Sequence, residues 1–386
     1  MARFAKRLAA IQPSPTVRLG NLVGELRAKG EDIVSLSLGE PDFPTPKHIV
    51  DAAKAALDAG ETKYTSSLGI AELRDAIAEK SQRDNGIPAK RENVIVAITK
   101  HALFLSAMAL LDPGDEVIYP DPAWVSYGPI ARLAGATPVP VRAADEDGFV
   151  MTPEAVGEAL TPRTRMVFVN SPSNPAGSVY PREALRGIAD HCVDRDLYLV
   201  SDEIYEKILY DGTHVSPASF PGMFERTVTV HGFSKTYAMT GWRLGWAVAD
   251  APVIREMAKV EEQTITHPTA FVQRAGVAAL RGPAEPSRAM VAEFRARRDI
   301  VLELLRDIRG LSTYRPGGAF YVFPRFDVPM SSLDLGERLL REAKVAVTPG
   351  VGFGAAGEGH IRISYAASRD AIREGIRRIA GFLAKL

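Results

Sequence analysis

Met166-Val167-Phe168-Val169-Asn170 runs into Ser171-Pro172-Ser173-Asn174-Pro175; a helical stretch follows at 181–192, and then comes Tyr198-Leu199-Val200-Ser201-Asp202. Two short apolar runs separated by a helix and bounded by turn residues read as parallel strands joined by a crossover. Neither run alternates polar with apolar residues, so both faces of the sheet are expected to be covered. The pattern continues outward in both directions. Similar runs lie at 94–98, 117–119, 228–230 and 242–248. Ile49, Val50, Ala53, Ala56 and Leu57, and then Leu73, Ile77 and Ala78, recur at helical spacing. Such alternation predicts an α/β domain with a mainly parallel sheet. Ahead of it lie an arm and a short strand at 33–38. Beyond about residue 281 the character changes to a long charged helix at 287–309, a strand at 319–323, a helix near 333–342, two short strands and a terminal helix. The expected organisation is an N-terminal arm and part of a small domain at 1–45, a large domain at 46–280, and a small α+β domain at 281–386.

The chain has 386 residues, with Lys+Arg and Asp+Glu both at 47, so its formal net charge is zero. That balance, with no long run of one sign, argues against nucleic acid or an anionic membrane surface as a partner. Hydrophobic residues at 46 % and charged residues at 24 % are ordinary for a globular chain that needs no staples. The single cysteine, Cys192, cannot form an intrachain disulfide and suits a reducing compartment as a small buried side chain. No apolar stretch approaches the ~20 residues of a membrane span. The start carries Arg3, Lys6 and Arg7 without an apolar segment of signal-peptide length, so a cytoplasmic location is expected. No metal site is expected.

Chemistry concentrates where the runs end, which is where ligands bind in open α/β sheets. One run ends in Asn170 and the Asn174-Pro175 turn, and another in Ser201-Asp202-Glu203-Ile204-Tyr205. A third leads into Gly232-Phe233-Ser234-Lys235-Thr236-Tyr237, with Arg243 eight positions after the lysine. This spacing is expected to place an amine beside an anion site made by Ser234 and Arg243. With Leu38-Gly39-Glu40-Pro41-Asp42-Phe43, Lys63-Tyr64-Thr65, Trp124-Val125-Ser126-Tyr127, Gly317-Gly318-Ala319-Phe320-Tyr321 and Ile361-Arg362-Ile363-Ser364-Tyr365, nearly the whole chain resembles a class I aminotransferase of the aspartate aminotransferase superfamily, bacterial aspartate/aromatic branch.

That resemblance implies the transferase fold type I of pyridoxal 5′-phosphate (PLP) enzymes: a mainly parallel seven-stranded sheet in a large domain plus a smaller α+β domain. It implies a homodimer with shared active sites, acting on an amino acid and a 2-oxoacid by a ping-pong mechanism. Lys235 would bind the cofactor aldehyde and serve as the proton-moving base. Asp202 would pair with the pyridine nitrogen, Tyr205 and Asn174 with the ring 3-oxygen, and Trp124 would stack on the ring. Ser234 and Arg243 would hold the phosphate, helped by Thr99 and Lys100 at a helix start, with Tyr64 reaching the neighbour's phosphate. Arg362 and Gly39 would hold the substrate α-carboxylate. Lys100, with Ser14 and Thr16 of the arm, would favour a dicarboxylic side chain, so aspartate or glutamate is the expected donor, with aromatic or prephenate-type substrates as further options.

The chain departs from the family pattern in three places. Ile98-Thr99 stand where small residues are usual at the phosphate loop; Thr99 brings a hydroxyl and Ile98 brings none. Ala123 replaces a tyrosine and is expected to widen the pocket. His267 lies in a segment that reaches the neighbour's site in relatives. Three other readings compete. Gly352-Phe353-Gly354-Ala355-Ala356-Gly357 fits a dinucleotide-binding pattern, which requires a helix directly afterwards. A PLP-dependent β-lyase would use the same Lys235 and Asp202 but release ammonia. A non-catalytic PLP-binding regulator would need a separate basic DNA-binding module, which this chain lacks.

Overall fold

The structure, a computed structural model, describes all residues except 1–4, 6, 7, 10 and 12–14, together with the side chains of 15–19. Ser14 lies outside the described residues. Thr16 belongs by its backbone to the helix Pro15–Ala28, but its side chain is likewise outside them.

A two-residue strand, β1 (Val34–Ser35), precedes β2 (Val94–Ala97), β3 (Glu116–Asp121), β4 (Thr137–Arg142), β5 (Thr164–Asn170), β6 (Tyr198–Asp202), β7 (Thr227–Gly232) and β8 (Gly245–Val248). Strands β2 to β8 make one seven-stranded sheet in the order β2-β8-β7-β6-β5-β3-β4. Only β8 opposes its neighbours; every other adjacent pair is parallel. All four residues of β2, Val94-Ile95-Val96-Ala97, are buried, as continuous apolar runs covered on both faces require. The chain reverses its direction of strand addition between β3 and β5, so a crevice opens at their carboxyl ends.

The strands expected at 94–98, 117–119, 166–169, 198–200 and 228–230 all form. The one expected at 242–248 starts later, at Gly245, because Thr240–Trp242 is a 3₁₀ turn and Arg243 turns left-handed, with φ 57°. The seventh strand, β4, was not legible as a run. Pro138 and Pro140 remove two amide donors, which only a sheet edge tolerates, and β4 pairs with β3 alone. The helix Pro15–Ala28 was likewise read as an arm, since Gly20 and Gly24 weaken its signal.

The remaining strands are β9 (Leu311–Ser312), β10 (Tyr321–Val322), β11 (Arg325–Phe326), β12 (Val345–Ala346), β13 (Thr348–Pro349) and β14 (Ile361–Ser364), with the helices Glu285–Arg306, Ser332–Glu342 and Arg369–Leu383. β14 lies between β10 and β13, antiparallel to both, and β1 pairs with β12 in parallel, tying the N-terminal segment to the C-terminal one. Phe294, Phe320, Ile361, Ile363 and Ile376 are buried in one apolar cluster with Tyr205 and Ile208, from the turn after β6. Continuity of that core with the turn after β6 sets the position of β14, and so of Arg362, relative to the sheet's carboxyl edge.

Candidate active site

A cavity of about 350 Å³ opens at the carboxyl ends of β3, β5, β6 and β7. Lys235 lies three residues past the end of β7, and its Nζ donates to Gly39 O at 2.5 Å. Burial lowers its ammonium to about 8; Arg362 and Arg243 push the same way, and Glu40 and Asp202 oppose them.

Asp202 closes β6 and is buried. Tyr127 Oη donates to its Oδ2 at 2.8 Å, and the Ile204 N–H donates to Oδ1 at 3.3 Å. Both donors are neutral, and burial pushes the carboxyl up to about 6. Directly behind it, Glu203 accepts from His214 Nε2, Ser201 Oγ and Ser216 Oγ at 2.8–2.9 Å. Glu206, one turn on, is paired with Lys80 and accepts from Asn85 Nδ2. This buried, partnered network fixes the turn that carries Asp202 and Tyr205. Asn170 Nδ2 donates to Asp202 O while its Oδ1 accepts the Asn174 N–H, both at 2.9 Å, so the ends of β5 and β6 are held in register.

Arg362, in the middle of β14, is 3 % exposed. Its two terminal nitrogens donate to Asn174 Oδ1 at 2.9 Å and Ser37 O at 2.7 Å, and the guanidinium lies over the rings of Tyr321 and Phe353 at 4.4 and 4.9 Å. Its Nε is buried without a partner among the described residues. A buried guanidinium that meets only neutral groups is costly unless an anion joins it. Tyr205 and Tyr321 share a hydroxyl–hydroxyl bond of 2.8 Å.

The helix Thr99–Leu110 also begins at the cavity, leaving the amides of its first turn without intrahelical acceptors. Ser234 and Arg243 line the cavity with it. The Thr99 hydroxyl donates to His231 O at 3.2 Å. Gly232 and Gly245 allow this close seating: a Cβ on either would stand 2.0 or 2.5 Å from Thr99 Oγ1. Ile98 caps the helix in an extended conformation and does not line the cavity. Lys100 does, with Nζ 4.9 Å above the Trp124 ring; burial, then Arg243, lowers the pKa of its ammonium.

The cavity therefore gathers Lys235, Asp202, Tyr205, Asn174, Trp124, Ser234, Arg243, Thr99, Lys100, Arg362 and Gly39. Tyr64, Ala123 and His267, also named from the sequence, do not line it either. Tyr64 is 89 % exposed and packs edge-on against His267 at 5.6 Å, whose Nε2 accepts the Thr65 N–H. Ala123 is buried among core side chains under the sheet, so it widens nothing directly; its N–H donates to Phe353 O. Tyr127, Tyr321 and Phe353 were missed as site residues. The first two lay within the motifs Trp124–Tyr127 and Gly317–Tyr321. Phe353 lay in the glycine-rich run, which forms two short 3₁₀ turns followed by β14 rather than a helix, so the dinucleotide reading falls.

This donor set fits PLP. A buried carboxylate served only by neutral donors awaits a cation, an unpartnered guanidinium nitrogen awaits an anion, and a helix start flanked by Ser234 and Arg243 suits a phosphate. Residues 31–379 match the family of class I and II aminotransferases. The chain is 46 % identical over 391 residues to the aspartate/prephenate aminotransferase of Thermus thermophilus, with both chains fully covered. It is 42 % identical over 392 residues to the aspartate aminotransferase of Bacillus subtilis, covering 99 % of each. A solved structure of the Thermus thermophilus aspartate aminotransferase with maleate superposes with a TM-score of 0.94 at 47 % identity, over 99 % of this chain and 100 % of that one. Such relatives are aminotransferases, and nothing among them favours a β-lyase. The chain belongs to the class I and II aminotransferases and is a PLP-dependent enzyme of fold type I.

Proposed function

We propose that the enzyme takes its amino group from a dicarboxylic amino acid, aspartate or glutamate, and passes it to a 2-oxoacid by a ping-pong cycle. One observation carries this reading: Arg362 and Lys100 line the same cavity as Lys235, while Arg243 stands with Ser234 and the helix start. Arg362 then serves the α-carboxylate and Lys100 the distal one, as opposite charges in a partly desolvated site favour. The aspartate-named relatives and the maleate-bound neighbour support a second carboxylate; the prephenate-named one leaves a bulkier oxoacid in view.

In the proposed roles, Lys235 holds the cofactor covalently, Asp202 meets its ring nitrogen, Tyr205 and Asn174 its 3-oxygen, and Trp124 covers its face. Ser234, Arg243 and the first amides of Thr99–Leu110 hold its phosphate. Bound there, PLP supplies an electron sink for the bond broken at the substrate α-carbon. Arg362 and Gly39 orient the substrate carboxylate, so the α-hydrogen faces Lys235. Once the substrate's amine has displaced it from the cofactor, Lys235 Nζ, whose ammonium lies at about 8, can take that proton and return it near neutral pH. Trp124 and Phe353 keep water from the reacting face.

The division into a large domain at 46–280 and a small one at 281–386 with part of 1–45 is supported by the separate sheets and by the pairing of β1 with β12. A homodimer is supported by Tyr64, exposed and outside its own cavity, on a loop braced by His267 and Gln273. In a dimer it would reach the neighbour's phosphate. A cytoplasmic setting is supported by the lone buried Cys192, whose thiol burial pushes up to about 12, and no helix among the described residues is long and apolar enough to cross a membrane.

The test is the half-reaction: PLP-loaded enzyme is mixed with one amino acid and no oxoacid, and conversion of the cofactor to its amine form is followed by absorbance. Aspartate and glutamate should convert it far faster than alanine, 2-oxoglutarate should restore it, and Lys100→Ala should raise the aspartate KM about tenfold while sparing alanine. Alanine reacting as fast as aspartate would remove the dicarboxylate assignment.

A further inference from the structure

Tyr127 begins the helix Tyr127–Leu133 and is fully buried. Its ring stacks on Phe168 of β5 at 5.1 Å and 20°, and meets Trp124 edge-on at 5.4 Å and 74°. Its hydroxyl donates to Asp202 Oδ2 at 2.8 Å, across 75 residues of sequence. One side chain thus touches both the indole read as covering the cofactor ring and the carboxylate read as meeting its nitrogen. The phenol is clamped between two aromatic rings, so its hydroxyl has one direction in which to point. The other carboxylate oxygen has only the longer contact from the Ile204 N–H.

We propose that Tyr127 is a positioning residue, whose hydroxyl aims the Asp202 carboxylate and holds it ionised for the cofactor's ring nitrogen. The inference rests on Asp202 serving that nitrogen. A hydrogen bond given to the charged form favours that form. Burial raises the Asp202 carboxyl most; Tyr127 and the Ile204 N–H pull it down, adjacent Glu203 pushes it up, and Lys235 pulls it down. Burial, and then the Asp202 charge, raise the phenol of Tyr127 well above its usual range, with Tyr205 and Tyr180 adding to it. It therefore keeps its proton and remains a donor at every working pH. Phe at this position would keep the packing on Phe168 and Trp124 and delete the donor alone.

The test uses full-length apoenzyme labelled with ¹³C-aspartate, with Asp202→Asn to identify the Asp202 infrared band. In Tyr127→Phe the carboxyl midpoint should rise by about one pH unit. The PLP dissociation constant should rise about threefold near pH 6.5 and approach tenfold toward pH 5, the gap closing toward pH 9 as the carboxyl ionises in both proteins. An unchanged midpoint, or a loss of affinity equal at all pH values, would reduce Tyr127 to packing and overturn the proposal. If Tyr127→Phe does not fold, 3-fluorotyrosine placed at 127 keeps the ring and strengthens the donor. It should move the midpoint down, and no movement or an upward one overturns the proposal. Failure of the underlying reading shows separately, as Asp202→Asn binding PLP as tightly as the unmodified enzyme.

Discussion

The acidity of Lys235 can be tested before any cofactor is added. Burial brings its ammonium from 10.5 to about 8. The difference of about 2.5 units corresponds to roughly 3 kcal/mol against the charged form. At pH 7 about one Lys235 in eleven would be the free amine, against about one in three thousand for a lysine at 10.5, a ratio of about 300. A less basic amine is a weaker nucleophile; with a slope of ~0.5, as for thiols, about 18-fold of that is lost, leaving an advantage on the order of tenfold. The assay is competitive labelling of apoenzyme with acetic anhydride across pH 6–11, read peptide by peptide. Lys235 should titrate near 8, well below the 10.5 of an unperturbed lysine. The neighbours fix the signs: Arg362→Leu removes a cation and should raise the midpoint, and Asp202→Asn removes an anion and should lower it. Because the folded value lies below the unfolded one, this group adds stability as pH rises from 8 toward 10.5, and the gain is lost as pH falls through 8. A midpoint near 10.5, or shifts of the opposite sign in the two variants, would refute the reasoning.

Two further outcomes follow from packing and charge. Gly232→Ala places a Cβ 2.0 Å from Thr99 Oγ1 and 3.0 Å from Ile204 Cδ1, so the start of the helix Thr99–Leu110 must shift, at a cost of about 1–3 kcal/mol. Equilibrium dialysis should find PLP bound about tenfold more weakly, and unaltered affinity would show that the helix start is not part of the phosphate site. Burial opposes the charge on Glu206, but Lys80, with His231, Lys207 and His214, outweighs it and holds the carboxyl down at about 2. Its stabilising contribution is present above the unfolded carboxylate range and is lost as pH falls through about 2. Lys80→Met should therefore destabilise the fold by about 3–5 kcal/mol at pH 7 and clearly less at pH 4, measured by urea unfolding; equal losses at both would contradict the pairing.

The residues legible in the sequence were those at the ends of buried strands. Asn174, Asp202, Tyr205 and Lys235 each follow an apolar run with turn chemistry, so local pattern and motif pointed to one place. The strand β4 was hidden because Pro138 and Pro140 contradict strand propensity, and only its edge position reconciles them. Tyr127 and Tyr321 were invisible as partners because their contacts span 75 and 116 residues, and no local period records such pairs. Arg362 was named, yet its burial over two aromatic rings, with a bond to Ser37 325 residues away, depends on the meeting of β14, the turn after β5 and the segment after β1. The hydroxyl of Thr99 was expected to face a phosphate; tertiary packing turned it to His231 O instead.

The most direct measurement is to reduce the PLP-loaded enzyme with borohydride and map the pyridoxyl group by peptide mass spectrometry. The expected result is a single label on Lys235, within Gly232-Phe233-Ser234-Lys235-Thr236-Tyr237. A label on Lys100 or any other lysine, or no label on loaded enzyme, would contradict the assignment on which the rest depends.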